Sequence, residues 1–307
     1  MSDVALKIDV DTHEGMRDGV PRLLASLRAA GVRASFFLSF GPDNSGKAVW
    51  NVLRQRGFLR KMLRTGAPGL YGWRTLVSGT LLPARPIADA FPDLVRRVAG
   101  EGHEVGVHAW DHRLWQDHLG ELDEAAIAAQ LARAFESYER ILGVRPRAVA
   151  APAWRASPTS LRVQDALGLL YASDMRGGPP CFPRLQGYRS TTLQVPTTQA
   201  CLEELLTLGR RDADECAAQV LRRPDGDGAR VLALHAEVEG GRHHDFLQTL
   251  LRSLATEAAP FVTLEELARR CLRARATIPV LEATLAPLPG RAGVVFAPAA
   301  AAAACRA

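Results

Sequence analysis

The stretch of sequence that decides the fold reads Gly102-His103-Glu104-Val105-Gly106-Val107-His108-Ala109-Trp110-Asp111-His112. Its apolar centre, Val105 to Val107, follows a glycine at a bend and is typical of a buried strand. Two histidines come next, four residues apart. If the chain turns helically there, His108 and His112 lie on one face with their Cβ atoms about 5–6 Å apart. That separation suits two imidazoles that bind one divalent metal ion. The alternative is a pair of surface histidines at the start of a helix.

A second motif lies near the N-terminus, where the chain reads Leu6-Lys7-Ile8-Asp9-Val10-Asp11-Thr12. It predicts a strand that ends in two carboxylates on one face, because side chains at i and i+2 of a strand point the same way. Like charges this close repel each other unless a cation or a proton separates them. A metal ion held by Asp11, His108 and His112 supplies that cation, and it leaves Asp9 free to act as a base. The alternative is structural, with both carboxylates capping the next segment.

These motifs resemble the first two motifs of the polysaccharide deacetylases, carbohydrate esterase family four. The chain is more similar still to one branch of that family, which removes the formyl group from 4-deoxy-4-formamido-L-arabinose carried on undecaprenyl phosphate. The stretches that carry this resemblance are Asp9-Val10-Asp11-Thr12, Gly19-Val20-Pro21-Arg22-Leu23-Leu24, Gly41-Pro42-Asp43-Asn44, Phe58-Leu59-Arg60-Lys61-Met62-Leu63-Arg64, Leu70-Tyr71-Gly72-Trp73 and His235-Ala236-Glu237-Val238-Glu239-Gly240. The resemblance extends nearly from one end of the chain to the other, and it implies a deformylase that serves lipid A modification.

Composition limits the class of protein. The chain has 307 residues, 47% of them hydrophobic, which is enough for one domain of barrel size or two small ones. No apolar run approaches the roughly 20 residues that a membrane span needs, and the N-terminus lacks the pattern of a signal peptide. We therefore expect the chain to remain in the cytoplasm, with any membrane contact peripheral. The resemblance implies the cytoplasmic face of the bacterial inner membrane. The five cysteines are scattered and have no CxxC spacing, so neither a disulfide framework nor a cysteine-based zinc site is expected.

Strand and helix patterns alternate along the chain, which predicts an α/β fold with parallel strands closed or nearly closed into a barrel. The clearest helical pattern runs from Asp123 to Leu142 and ends at Gly143. A last strand is expected at Phe261–Thr263. The resemblance implies the irregular (β/α)7 barrel of the polysaccharide deacetylases. We expect this barrel domain to cover residues 1–275 and the Ala- and Pro-rich residues 276–307 to form a poorly ordered tail.

The net charge of +5 is concentrated in one segment. Residues 40–85 contain eight basic residues and one acid, so the insert at 41–90 is strongly basic. Amphipathic aromatic residues accompany the charges, and the combination predicts contact with an anionic membrane or with a lipid-linked substrate. The candidates for that contact are Trp50, Arg60, Lys61, Arg64 and Trp73. The alternative is a solvated cationic face packed against the barrel. No nucleic-acid-binding motif is present, so no nucleic-acid partner is expected.

Other candidate site residues follow later strands, where a barrel carries its chemistry. In the family that the chain resembles, an arginine of the third motif pairs with the base, which implies Arg155 beside Asp9. The generic order of that motif, arginine before proline, is not kept here. The alternative for Arg155 is a surface arginine.

His235 ends a predicted strand and is a suitable proton donor to a leaving amine. The resemblance implies Asp174 as the carboxylate that orients it. The alternative for His235 is an ordinary buried core histidine. Glu237 and Glu239 follow at once, either as contacts to the sugar amine or as ordinary loop acids.

The expected reaction is hydrolysis of the formamide. One divalent metal ion, not distinguishable among Zn, Co and Mn, polarises the formyl carbonyl and activates a water molecule. Asp9 takes the proton of that water, the metal and backbone amides stabilise the oxyanion, and His235 protonates the departing amine. Two alternatives remain open. One is a deacetylase of an N-acetylated cell-wall or chitin-like oligosaccharide, and the other is a non-catalytic protein that binds the lipid carrier.

Overall fold

The computed structural model describes residues 3–46, 78, 83–222, 228–257 and 259–300. Strands and helices alternate along these ranges. The strands are β1 (Val4–Val10), β2 (Ser35–Ser39), β3 (Glu104–Ala109), β4 (Ala148–Val149), β5 (Tyr171–Ala172), β6 (Phe182–Leu185), β7 (Tyr188–Arg189), β8 (Arg230–His235), β9 (Val280–Ala286) and β10 (Val295–Pro298). The helices are α1 (Val20–Ala30), α2 (Pro92–Gly100), α3 (His112–His118), α4 (Glu124–Leu142), α5 (Pro158–Ala166), α6 (Leu202–Thr207), α7 (Ala213–Leu221), α8 (His244–Thr256) and α9 (Leu264–Arg273).

Six of these strands form one parallel sheet in the order β5-β4-β3-β2-β1-β8. Residues 193–199 close the gap between its two edges. On one side the Val195 amide donates to the Ala172 carbonyl of β5 (2.8 Å), and on the other the Thr198 amide donates to Val231 of β8 (3.0 Å). An irregular segment therefore takes the place of a seventh strand. The predicted irregular barrel of the polysaccharide deacetylase type is confirmed.

Strand β1 lies at the centre of this sheet and is buried on both faces along its whole length. Its side chains divide between two cores with the period of two that a strand imposes. Leu6 and Ile8 pack with the surrounding helices, whereas Ala5 belongs to the cluster inside the barrel with Phe37 and Tyr171. Residues 7 and 9 share the inward face with Ala5, which is why polar side chains at these positions reach the barrel interior.

The predicted long helix is confirmed as α4, and both of its ends have local causes. The Asp123 side chain accepts a hydrogen bond from the Ala126 amide (2.8 Å), which caps the first turn. Gly143 ends the helix in the left-handed region at φ +71°, where residues other than glycine are disfavoured. The predicted strand at Phe261–Thr263 is wrong, because only a single parallel bridge joins Phe261 to Val4.

A second, smaller sheet has the order β10-β9-β6-β7 and is built mainly from the end of the chain. The expectation of a poorly ordered tail is therefore wrong for residues 280–298. The expectation was based on composition, because alanine and proline are abundant in this segment. Apolar side chains nevertheless recur in β9 and β10, and Phe296 is fully buried beside Leu185 and Met175. A domain boundary at residue 275 stays a prediction.

The predicted membrane-contact residues Trp50, Arg60, Lys61, Arg64 and Trp73 lie outside the described residues. In the part of the chain that the structure describes, no helix combines the length and the apolar character needed to cross a bilayer.

Candidate active site

The carboxyl ends of β1, β3 and β8 meet at one mouth of the barrel. Asp11 follows β1, His108 lies in β3 and His112 begins α3. His108 Nε2 is 3.1 Å from Asp11 Oδ1, and His112 Nε2 is 3.2 Å from Asp11 Oδ2. One potential ligand atom from each residue lies within 4.8 Å of the others. The structure thus brings together the three residues that the sequence predicts as metal ligands.

Asp111 fixes the position of the second histidine. Its Oδ1 caps α3 by accepting from the Leu114 amide (3.0 Å), so that His112 is the first residue of the helix. Its Oδ2 accepts from the Asn44 side-chain amide (2.7 Å), which ties this turn to the loop after β2. The imidazole rings of His108 and His112 come to lie 5.2 Å apart, centroid to centroid.

These three side chains fit a divalent metal ion. Asp11 Oδ1 is buried and faces His108 Nε2, but it makes no hydrogen bond of acceptable geometry with the described residues, as expected of an oxygen placed to bind a cation. Burial alone would raise the pKa of Asp11, but the neighbouring histidines His112 and His108 hold it well below its ordinary value. Two imidazoles and a carboxylate suit zinc and similar divalent ions, and they leave coordination positions open.

The cation beside Asp9 is not the predicted one. Lys7 Nζ lies 2.6 Å from Asp9 Oδ2, and both side chains are buried. Arg155 turns away and donates to the Val294 carbonyl (3.3 Å), so the predicted pairing of Arg155 with Asp9 is wrong. The backbone gives the reason. Ala153 and Trp154 both have φ +52°, and this turn directs the Trp154 ring inward, 4.9 Å from Lys7 Nζ.

The carboxylate beside His235 also differs from the prediction. His235 Nδ1 lies 2.7 Å from Oε1 of Glu203, a residue in the first turn of α6. Burial alone would lower the pKa of His235, but the Glu203 carboxylate raises it well above its ordinary value. In return His235 lowers the pKa of Glu203, against the effect of burial. This pair therefore favours the charged imidazolium.

Asp174 has another role, so the predicted pairing of Asp174 with His235 is wrong. Its Oδ1 accepts from the Ala151 amide (2.7 Å), and its Oδ2 accepts from the side chains of Gln164 (2.9 Å) and Gln194 (3.2 Å). Asp174 is fully buried, and burial raises its pKa. Asp174 braces the loop after β4, because β5 pairs with β4 and Asp174 follows the end of β5. His235 instead ends β8, at the other edge of the sheet.

The two predicted loop acids have different surroundings. Glu237 faces the cavity, and burial together with the charge of Asp11 raises its pKa well above the ordinary value. Glu239 is fully buried and accepts from the His235 amide (2.7 Å). Burial and the charge of Glu203 raise the pKa of Glu239 to about 8. Glu237 can therefore meet a ligand, whereas Glu239 holds the turn that follows β8.

A cavity of about 310 Å³ connects these groups. Sequence reasoning missed three residues of its wall or its support. Lys7 could have been predicted from the sequence, because it precedes Asp9 by two residues and must lie on the same face of strand β1. Nothing in the sequence distinguished Glu203, since acidic residues are common in the first turn of any helix. Arg291 lies in the supposed tail and was overlooked with it.

Known proteins resemble this chain in sequence and in fold. Residues 3–172 match the family model described as polysaccharide deacetylase. The “Probable 4-deoxy-4-formamido-L-arabinose-phosphoundecaprenol deformylase ArnD” of Shewanella sediminis (strain HAW-EB3) is 33% identical over 267 residues, 87% of this chain and 86% of the relative. The protein of the same name from Wigglesworthia glossinidia brevipalpis is 27% identical over 280 residues, 91% of this chain and 96% of the relative.

Solved structures are similar in fold. A Mycobacterium smegmatis protein solved as a polysaccharide deacetylase superposes with a TM-score of 0.59 at 20% identity, covering 90% of this chain and 92% of its own. The Bc1960 peptidoglycan N-acetylglucosamine deacetylase gives a TM-score of 0.54 at 19% identity, with 86% of each chain covered.

Proposed function

The chain belongs to the polysaccharide deacetylase family, and from this premise we propose that it hydrolyses the formamide of undecaprenyl phosphate 4-deoxy-4-formamido-L-arabinose. The products are formate and the free 4-amino sugar on its lipid carrier, for use in lipid A modification. The observation that carries the proposal is the convergence of a metal-ligand set, a buried carboxylate and an ion-paired histidine around one cavity. The names of the similar relatives favour formyl over acetyl as the group removed.

Asp11, His108 and His112 would hold one divalent ion. When bound, that ion supplies Lewis-acid polarisation of the formyl carbonyl and makes a water molecule more acidic. The protein contributes the proton transfers. Asp9 is the base: its Oδ2 is held by Lys7, while its Oδ1 is buried without a hydrogen-bond partner in the described part of the chain. That oxygen lies 4.0 Å from His108 Nδ1 and is the one that would accept the proton of the attacking water.

His235 is the acid. Its Nδ1 faces Glu203, so Nε2 is the nitrogen that remains for the cavity. The ion pair keeps the imidazolium protonated, which suits a donor to the departing 4-amine. The Trp154 ring meets His235 edge-on at 6.2 Å between centroids and limits the positions that the imidazole can take.

We further propose that the protein works at the cytoplasmic surface of the inner membrane. The proposed substrate keeps its polyprenyl tail in the bilayer, so its sugar is presented at that surface. The basic insert at 41–90, with Arg60, Lys61, Arg64 and the aromatic residues Trp50 and Trp73, supplies charges that an anionic leaflet attracts.

The experiment compares release of formate from the formylated lipid-linked sugar with release of acetate from its N-acetyl analogue. Wild-type protein should release formate, lose this activity after chelation and regain it with a divalent ion. Asp9→Asn should keep its metal content but lose roughly 10²–10⁴-fold in rate, the usual range for a positioned base. Faster release of acetate would favour the oligosaccharide deacetylase, and no release by the metal-loaded protein would refute the proposed hydrolysis.

A further inference from the structure

The C-terminal sheet contributes one wall of the active-site cavity. Residues 287–294 connect β9 to β10, and Gly290, Arg291 and Ala292 of this connection line the same cavity as Asp9 and His235. The base, the acid and the proposed metal ligands come from the strands of the large sheet, the loop after β1 and the start of α3, and Glu203 comes from α6. This second wall therefore adds residues to the cavity that the proposed hydrolysis does not use.

The backbone holds Arg291 firmly in place. Gly290 has φ +78°, and a Cβ at this position would lie 2.4 Å from the Glu204 carbonyl oxygen of α6. Only glycine satisfies both the backbone conformation and this close approach. The Arg291 amide donates to the Leu288 carbonyl (3.1 Å), and its guanidinium carbon lies 4.4 Å from the centre of the Trp154 ring. These contacts hold the loop in place and so fix the position of Arg291.

Charge pairing leaves Arg291 with unused binding capacity. Glu204 is already bound by both ends of the Arg176 guanidinium, at 2.9 Å from each oxygen. Arg291 Nη1 lies 3.4 Å from Glu204 Oε1, so two guanidinium groups share one carboxylate and one positive charge remains. Arg113, another cation on the wall, pairs with Asp117 of its own helix. Arg113 and Arg291 are the arginines among the described residues that line the cavity, and Arg291 has no carboxylate to itself. Besides Glu204, it lies 3.9 Å from Cys201 Sγ, and its charge helps to lower the pKa of Glu203.

We propose that Arg291 binds the phosphate that joins the sugar to its polyprenyl carrier. This inference rests on the proposed function and names a specificity residue for it. In the proposed substrate the phosphate is attached at C1, across the pyranose ring from the formamide at C4. With the formamide at Asp9 and His235, the phosphate must reach another part of the wall one sugar ring away.

A guanidinium suits that position. Its planar fork can donate two parallel hydrogen bonds to a phosphate, and the partly shielded site, where the side chain is 21% exposed, strengthens them. A neutral oligosaccharide offers no such anion. The Arg291 loop would therefore select sugar phosphates from other amide-bearing sugars.

The test uses two soluble substrates, 4-formamido-4-deoxy-L-arabinose 1-phosphate and the methyl glycoside of the same formamido sugar. Arg291→Gln should lower kcat/KM for the phosphate roughly 10–100-fold, mostly through KM, the range expected for hydrogen bonds to a charged group. The loss should be much smaller for the methyl glycoside, which has no phosphate. Arg291→Lys should recover part of the loss, because it restores the charge but not the fork.

Two further variants separate binding from folding. Gly290→Ala keeps the arginine but displaces its loop, so it should lose the preference for phosphate as Arg291→Gln does. Arg184→Gln is the matched control, because Arg184 lies in the same small sheet in an exposed pair with Glu282. Arg184→Gln should leave kcat/KM unchanged for both substrates. Equal losses for the two substrates in Arg291→Gln would overturn the proposal.

Calorimetric measurement of ligand binding tests the proposed phosphate site without requiring turnover. Wild-type protein should bind L-arabinose 1-phosphate more tightly than L-arabinose or inorganic phosphate, and Arg291→Gln should abolish this preference. No preference in the wild type, or equal binding of inorganic phosphate, would overturn the inference. If phosphate binding depends on Arg291 while the formylated lipid-linked sugar yields no formate with the metal-loaded protein, the proposed reaction is wrong and the phosphate site stands.

Discussion

Lys7 and Asp9 are both buried, and their Nζ and Oδ2 atoms lie 2.6 Å apart. Removing one partner of a buried pair leaves a charge without compensation, which usually costs about 3–5 kcal/mol. We therefore expect Lys7→Met to lower the free energy of unfolding by about that amount, measured by chemical denaturation. It should also reduce turnover, because Asp9 loses the contact that orients it.

Arg155→Gln is the matched comparison, since Arg155 carries the same charge, and within the described ranges its guanidinium donates to the Val294 carbonyl and to no carboxylate. Arg155→Gln should change the free energy of unfolding by no more than about 0.5 kcal/mol, the usual limit for a substitution away from a buried network. A loss as large as that of Lys7→Met would show that Arg155 supports the base after all.

The pair of His235 and Glu203 predicts a pH dependence. Burial lowers the pKa of His235, but Glu203, and after it Asp11 and Cys201, raise it well above 6.5. An acid with a raised pKa stays protonated until the pH rises through that pKa, and its contribution to stability is lost over the same interval. Glu203→Gln should therefore move the alkaline limb of the kcat/KM profile to lower pH, while metal content is unchanged.

Glu215→Gln provides the control for that profile. Glu215 is an exposed acid at the start of α7 and pairs with Arg210. This variant should leave the alkaline limb where it is in the wild type. If the alkaline limb also stays at the wild-type pH in Glu203→Gln, then Glu203 does not set the pKa of the catalytic acid.

At the scale of elements, the turn before α1 packs closely against the turn after β8. A Cβ on Gly19 would lie 2.0 Å from the Ala236 carbonyl oxygen, and one on Gly240 would lie 2.6 Å from Gly19 Cα. Gly19 has φ −72°, so this close approach, and not the backbone conformation, requires glycine. The contact holds the turn that carries Ala236, directly after His235.

Gly19→Ala should therefore lower the free energy of unfolding by about 1–3 kcal/mol, the usual cost of overpacking, and should lower activity by shifting the turn. Thermal unfolding and formate release measure the two effects. Gly120→Ala is the control, because nothing lies within 4 Å of a Cβ at that position. Similar losses in both variants would point to a general effect of alanine and not to this contact.

At the scale of the whole molecule, the C-terminal sheet is a structural part of the protein. A chain that ends after Ile278 lacks β9 and β10 and exposes Phe182 and Leu185, which are now buried. Exposing two such side chains costs at least about 3 kcal/mol. We expect a lower unfolding midpoint and weaker binding of sugar phosphate, measured against a chain that ends at residue 300. Equal stability of the two chains would restore the view of a dispensable tail.

The proposed membrane association also belongs to the scale of the whole molecule. Each basic side chain near an anionic leaflet contributes about 1 kcal/mol, which decays within a Debye length of roughly 8 Å. Replacing Arg54, Arg60, Lys61 and Arg64 by glutamate should release the protein from anionic vesicles and raise KM for the lipid-linked substrate. The same reversal at the exposed residues Arg210, Arg211, Arg269 and Arg273 should have a smaller effect. Sedimentation of the first variant with vesicles at physiological salt would exclude the insert as the anchor.

The sequence by itself determined the features that depend on near neighbours in the chain. The period of two placed Asp9 and Asp11 at the end of a buried strand, and the spacing of four paired His108 with His112. Helix α4 could be predicted for the same reason, because its apolar stripe and both caps lie within one segment. Backbone geometry fixes such relations over a few residues, whatever the rest of the molecule does.

Only the tertiary structure decided which distant side chains become partners. Glu203 reaches His235 because α6 packs beside the end of β8, and no pattern in either segment records that approach. The resemblance implied Arg155 as the partner of Asp9 and Asp174 as the partner of His235. The left-handed turn at Ala153 and Trp154 and the amide of Ala151 direct them elsewhere. The position of Arg291 depends on a whole sheet docking against the barrel. A buried charge takes the partner that packing brings within reach, and packing is settled by contacts far apart in the chain.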